Sequence, residues 1–553
     1  MAMDEHDTER SGHTRKQFLQ RGAMAAGAIA AASTTGQAVA KMADASAPPA
    51  TVAGMNIVVF MTDQERHIQH FPMGWAQDNL PGLTALMKNG LTFNNAYTNA
   101  CMCSPARSTF MSGYFPAQHG VKYTLEADMP APQYPQADLP GPSQMANMAT
   151  VASAAGYNVI YKGKWHCSKP AGSVWAPSDL TNYGFSRWNP QDAGANQSIP
   201  EMGGGIANND GRYMTSVSSV TGYPQTVDSN EGVLQFINNI AVNMQPFCLI
   251  VSLVNPHDVL GYPRNYAAAG FDASWLKGDI GLPATVDENL ATKPRAQKAF
   301  RKIFALSGVL KTKQQKINYL NFYGNLMRAS DQSLVETIAA LKNAGVYDNT
   351  LIIRTADHGE MGLAHGGLRQ KNFNMYEESI NVPLVFSNPT VWKKPKTTSA
   401  MVSHVDFLPT FASLINAPSS ARGAWAGVDY SSVVLGKSKK PVQEYVLFTY
   451  DDFQAGQAAG PYVPPPQHVI AMRQKRWKIG VYWDPTTGTT PQWEMYDLQT
   501  DPLETTNIAW PTYKRTAAER KQFAKLRVEL QAAYNTRLQP LEGSAAPFPT
   551  GGV

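Results

Sequence analysis

Asn56-Ile57-Val58-Val59-Phe60-Met61-Thr62-Asp63 is the stretch that decides how the rest of this chain is read. Its five consecutive apolar residues, Ile57 to Met61, read as a strand buried on both faces, with Asp63 at its C-terminal end. Similar short runs occur at Val159-Ile160-Tyr161, at 247–253 and at Leu351-Ile352-Ile353. Between these runs, apolar residues recur at helical spacing over 82–89, 145–155, 231–240, 329–344 and 405–415. Strands alternating with helices predict an α/β layered sheet, in which ligands gather at the carboxyl ends of the strands. The stretches 183–223 and 260–295 lack clear periodicity and read as surface loops shaping a substrate mouth.

After about residue 427 the pattern changes. Residues 469–473 and 477–483 read as paired antiparallel strands and 517–534 as a helix. The chain therefore divides into a large part, 56–426, a smaller C-terminal α+β part, 427–538, and an extended Pro- and Gly-containing tail, 539–553. No internal repeat is evident.

The chain has 553 residues, 43% hydrophobic and 16% charged, which is a globular composition. The net charge of +5 is spread along the chain, and no basic run interleaved with aromatics supports nucleic-acid binding. No segment has the length of a membrane span. Thr14-Arg15-Lys16-Gln17-Phe18-Leu19, a weakly apolar stretch and Ala38-Val39-Ala40 read as a signal peptide over residues 1–40. It is similar to the twin-arginine type, with Lys in place of the second Arg, and places the protein in the periplasm or outside the cell. The competing reading is an Ala-rich tail. Four cysteines, Cys101, Cys103, Cys167 and Cys248, are too few for a disulfide scaffold.

The polar residues that carry chemistry cluster after the strand-like runs. Asp63-Gln64 and Asp357-His358 each end one, and their carboxylates and amide oxygen are hard-cation ligands. Lys164 and His166 alternate along what reads as an extended segment, and so face one side together. His257 follows Asn255-Pro256. Lys371 lies six residues beyond His365-Gly366. Cys103-Ser104-Pro105-Ala106-Arg107 stands just before a predicted helix, whose free N–H groups favour an anion. Taken singly, each of these is as ordinary as a capped strand end or a solvated loop residue. Thr449-Tyr450-Asp451-Asp452-Phe453 reads as an acidic loop that could reach a cationic alcohol, with a plain solvated turn as the simpler account.

Taken together and in order, the C-x-P-x-R of Cys103 to Arg107, the G-Y-x(5)-G-K-x-H of Gly156 to His166 and the two acidic pairs resemble the type I sulfatases. These are the formylglycine-dependent members of the alkaline phosphatase superfamily. The resemblance runs from Asn56 to about Ala509. It implies an α/β/α sandwich around a large, mostly parallel mixed sheet with a smaller C-terminal subdomain. It implies that a maturation enzyme oxidises Cys103 to formylglycine, and that Cys103, Arg107, Lys164, His166, His257 and Lys371 form the catalytic set. Lys164, His257 and Lys371 would contact substrate. Asp63, Gln64, Asp357 and His358, with residue 103, would hold one divalent ion, calcium first and manganese close behind. Gln64 and His358 are more similar to choline sulfatases and phosphonate monoester hydrolases than to most family members. The implied reaction is hydrolysis of organic sulfate monoesters through a covalent sulfo-enzyme. A phosphonate monoester or phosphodiester hydrolase using the same residues is the first alternative, and a non-catalytic binding protein on this fold the second. The leaving group and any homo-oligomeric state stay open.

Overall fold

In the computed structural model of the chain, the described residues are 52–67, 70–125, 137–173, 175–190, 192, 210–215, 231–239, 241–438, 440–457, 459–541 and 547–552. The signal-peptide expectation over 1–40, part of the 183–223 loop and part of the 539–553 tail lie outside them.

The opening stretch is a strand, β1 (Asn56–Asp63), buried along its whole length. Its pleat sends Ile57, Val59 and Met61 into one apolar core and Val58 and Phe60 into another. Both faces are thus covered, which is why the run is continuously apolar. Six further strands complete the sheet: β2 (Gly90–Tyr97), β3 (Asn158–Gly163), β4 (Phe247–Pro256), β5 (Thr350–Ala356), β6 (Leu384–Ser387) and β7 (Lys396–Ser403). Their order is β3-β4-β1-β5-β6-β2-β7. Every neighbouring pair is parallel except those made by β6.

The helices that matter here are α1 (Pro81–Lys88), α2 (Cys103–Ser112), α3 (Met148–Ala154), α4 (Val233–Asn239), α5 (Arg295–Phe304), α6 (Lys313–Asn343), α7 (Phe407–Leu414) and α8 (Ala517–Arg537). Residues of α2, α3 and α7 join the core on the Ile57 side, and residues of α1, α4 and α6 join the core on the Val58 side. The result is an α/β/α sandwich. Helix α6 begins at Lys313 and not near residue 329. Gln314, Gln315, Lys316 and Asn318 mask the periodicity of its first half, although Tyr319, Leu320, Phe322 and Tyr323 are buried. Thr312 caps it, its hydroxyl accepting from the Gln315 N–H at 3.1 Å.

A second, antiparallel sheet contains β8 (Tyr445–Tyr450), β9 (His468–Gln474), β10 (Trp477–Trp483) and β11 (Gln492–Asp497), in the order β11-β10-β9-β8. Helix α8 packs Phe523, Leu526 and Leu530 against it. Thr449 and Tyr450 belong to β8 and not to a loop, because their neighbours Val446, Leu447 and Phe448 supply a buried β-forming run. Among the described residues, no helix is long and apolar enough to cross a membrane.

Candidate functional site

Four adjacent parallel strands, β3, β4, β1 and β5, deliver polar side chains from their carboxyl ends to one place. Lys164 follows β3, His257 follows β4, Asp63 ends β1 and Asp357 follows β5. Opposite them, α2 opens at Cys103, and its preceding residue Met102 offers no side-chain cap. The sequence-predicted set is therefore brought together in the crevice expected for an α/β sheet.

Arg107 is the hub. Its Nε donates to Asp357 Oδ2 at 2.9 Å and one terminal nitrogen donates to Asp63 Oδ2 at 3.0 Å. The other terminal nitrogen reaches the Lys164 carbonyl at 2.9 Å and Ser252 Oγ at 2.7 Å. All of these side chains are buried, and four of the five guanidinium N–H groups are held by these protein acceptors. Lys164 Nζ lies 2.7 Å from Asp63 Oδ2. Cys103 Sγ is 3.2 Å from His358 Nε2 and 3.6 Å from Asp63 Oδ1. One ligand atom from each of Asp63, Cys103, Asp357 and His358 lies within 4.8 Å of the others.

The protonation states follow from burial and charge. Burial alone would raise Asp63, but the Lys164 ammonium and the Arg107 guanidinium outweigh it and hold that carboxyl well below its usual range. Burial and the Asp63 charge push Asp357 up to about 6. Two buried carboxylates that disfavour each other's charge are what a divalent ion would relieve. Burial, reinforced by the Lys164 or Lys371 ammonium, holds His166, His257 and His358 well below the usual imidazole value. They are neutral at pH 7, the form in which His358 can ligate a metal. Burial and Asp63 push the Cys103 thiol up to about 12, so it is no thiolate nucleophile.

Lys164 and His166 both line the recess above Cys103. The extended alternation inferred for them is not what aims them there. The chain turns, with φ +54° at His166. The Trp165 and His166 N–H groups both donate, at 2.7 Å, to the Asp192 carboxylate. Gly163 permits the turn, since a Cβ on it would collide with the Ser252 carbonyl that accepts from the Lys164 N–H at 2.8 Å. His257 is placed in a similar way: Asp210 accepts from the N–H groups of Val254 at 2.6 Å and Asn255 at 3.0 Å. Lys371 Nζ donates to Gln64 Oε1 at 2.7 Å and stands 3.3 Å from His257 Nε2.

Sequence reasoning missed the anchors behind these groups: Ser252, Asp192, Asp210 and Glu360. Glu360 Oε2 accepts from Gln64 Nε2 at 2.6 Å, and its other oxygen accepts from Tyr319 Oη at 2.6 Å and the N–H groups of Gly362 and Gln370, both at 3.0 Å. It fixes which end of the Gln64 amide faces the site. Gln64 itself sits at φ +65°, a strained conformation for a side chain of this size. A carboxylate two residues past Asp357-His358 was the one available signal. Asp451 and Asp452 are engaged elsewhere, with His468 at 3.0 Å and with Thr124 Oγ1 at 2.7 Å. All four cysteines are free and buried.

Comparison with known proteins agrees with this geometry. The Rhizobium meliloti choline-sulfatase is 27% identical over 83% of this chain and 83% of its own length. A Bacteroides thetaiotaomicron N-acetylglucosamine-6-O-sulfatase is 24% identical over 87% of this chain and 86% of its own. The phosphonate monoester hydrolase structure of Agrobacterium radiobacter superposes with a TM-score of 0.59 at 20% identity, over 87% of this chain and 96% of that one. It shares the fold. The C-terminal model of N-sulphoglucosamine sulphohydrolase matches residues 365–532. The Sulfatase family model matches residues 55–417, and the chain belongs to the sulfatase family, hydrolases of sulfuric esters.

Proposed function

We propose that the protein hydrolyses sulfate monoesters to an alcohol or phenol and inorganic sulfate, on a formylglycine made from Cys103. The observation that carries this reading is the placement of Cys103 at the first turn of α2, within reach of Asp63 and His358 and beneath Lys164 and Lys371. An unmodified thiol held near 12 would be idle there. A formylglycine at residue 103 supplies, as its hydrate, one hydroxyl to attack sulfur and a second whose deprotonation expels sulfate and restores the aldehyde. Asp63, Gln64, Asp357 and His358 would hold one divalent ion, calcium by family habit with manganese next, which supplies positive charge at the sulfuryl oxygens.

The protein's own groups divide the remaining work. Lys164 grips a sulfuryl oxygen from its seat on Asp63. Arg107, with four hydrogen bonds to protein acceptors, keeps both aspartates ionised and aimed. Asp357 takes the proton of the attacking hydroxyl, and the Lys371 ammonium gives one to the leaving oxygen as its bond to sulfur breaks, while neutral His257 accepts from Lys371 and holds it in place. His166, neutral through burial, takes the proton of the second hydroxyl. Preorganised charge of this kind in a dry site is usually the largest contribution to the rate. The same geometry suits a phosphonate monoester, which also carries a single negative charge. Paired aryl sulfate and aryl phosphonate esters compared by kcat/KM decide between the two. The division near residue 427 and export by the twin-arginine route belong to this proposal.

The deciding experiment is the mass of the peptide containing residue 103, from protein made in a host competent for maturation. An aldehyde is expected; an intact thiol refutes the reading. Glu360→Gln gives a second test. Losing the carboxylate that orients Gln64 is expected to weaken calcium or manganese binding about 10- to 100-fold by calorimetry. Unchanged affinity would remove Gln64 from the ligand set.

A further inference from the structure

The recess over Cys103 has a volume of about 170 Å³. That is close to the ~150 Å³ of an apolar cavity that accepts benzene. One side carries the polar groups already described. The other is a wall of Phe300, Ile303 and Phe304 from α5, Leu306 from the turn after it and Leu260 from the turn after β4. Phe300, Ile303 and Phe304 stand at i, i+3 and i+4, so they share one helix face. The Phe300 and Phe304 ring centroids are 5.6 Å apart. Phe300 is buried and Leu306 is 64% exposed, so the wall runs from the core to the rim.

The wall is fixed in place. Arg369 lies with its guanidinium carbon 4.6 Å from the Phe304 ring centroid. It also donates to the carbonyls of Phe304 at 3.3 Å and Gly308 at 2.7 Å. Among the described residues lining the recess there is no carboxylate, and Lys164 and Lys371 are its cations. Ser307, Gln370 and Gln457 also line it, with Gln370 Nε2 buried and without a protein partner, while two other neutral polar groups are already engaged. Thr124 donates to Asp452, and Asn372 Nδ2 donates to Tyr450 Oη at 3.2 Å.

We propose that this wall selects an uncharged, predominantly hydrocarbon leaving group over a quaternary ammonium one. The inference rests on the sulfatase reading above and narrows its substrate class. A quaternary ammonium needs a carboxylate or a free electron-rich ring face. Here it would meet two ammonium groups and a Phe304 ring already stacked on a guanidinium.

The test compares choline sulfate with its uncharged carbon isostere, 3,3-dimethylbutyl sulfate, with phenyl sulfate as the control for turnover. Choline is the more acidic alcohol and intrinsically the better leaving group, so a preference for the isostere comes from the wall. Inorganic sulfate is measured with the matured, metal-loaded enzyme. The isostere is expected to exceed choline sulfate in kcat/KM by tenfold or more. Ile303→Glu and Leu306→Glu each place a carboxylate on the wall. Each is expected to shrink the isostere-to-choline ratio about tenfold, through KM, as pocket contacts of this size do. Leu306 is at the exposed rim, so its variant decides should the Ile303 variant fail to fold. A wild-type ratio below ten, or a ratio unmoved by Leu306→Glu, overturns the inference and leaves the sulfatase reading standing. No sulfate from any ester, with residue 103 converted, overturns both.

Discussion

Cys103→Ala is expected to lower kcat at least ~10⁴-fold while costing no more than about 1 kcal/mol of stability. The side chain removed is small and already protonated in a buried setting, so little folding energy rests on it. Everything else in the site remains: Lys164 on Asp63, Arg107 on both aspartates, Lys371 on Gln64. Binding of a sulfate ester should therefore survive, and the loss should fall on kcat and not on KM. Cys103→Ser sharpens the test. A serine hydroxyl can attack sulfur once, but it has no second hydroxyl with which to expel sulfate. One equivalent of alcohol should appear in a burst, after which turnover stops. A Cys103→Ala enzyme with unchanged kcat, or a Cys103→Ser enzyme that turns over steadily, would refute the formylglycine mechanism.

The parts of this molecule that could be read from sequence are those where one physical demand dominates. β1, β4 and β5 lie inside the sheet with both faces covered, and that demand writes a continuous apolar run. β7 was invisible because it is an edge strand, with Lys396, Thr397 and Ser399 among its residues and its first half largely in water. β6 is only four residues long. β2 carries Asn94 and Asn95, and its polarity hid it.

The site divides along the same line. Residues at strand ends could be located because the strands could. Asp192, Asp210 and Ser252 could not, since each acts on a segment at least 26 residues away, and no local pattern marks such a partner. Asp192 reaches 26 residues back to the His166 N–H from a stretch that reads as featureless loop. Tertiary contact alone makes these side chains part of the site.

Arg107→Ala is the second large effect, and it separates two tasks that the motif alone runs together. The guanidinium is 0% exposed and bridges two carboxylates that are themselves 0% exposed. Taking it away leaves Asp63 and Asp357 facing each other with Lys164 as the nearest compensating cation. Removing one partner of a buried ion pair costs about 3–5 kcal/mol, because the remaining charge is neither solvated nor matched. The metal-free variant should lose that much in urea unfolding. Arg107→Lys keeps the charge, but an ammonium cannot span Asp357, Asp63, the Lys164 carbonyl and Ser252 at once, so it should recover only part of the loss. A divalent ion then discriminates. If Asp63 and Asp357 are metal ligands, saturating calcium or manganese should stabilise Arg107→Ala, since an ion that binds the folded state raises its stability by mass action. It should do nothing comparable for an Asp63→Asn, Asp357→Asn double variant. Equal response in both proteins would mean that the buried carboxylates are an ion-pair network built around Arg107 and not a metal site, and the role assigned to the four ligands would fall with it.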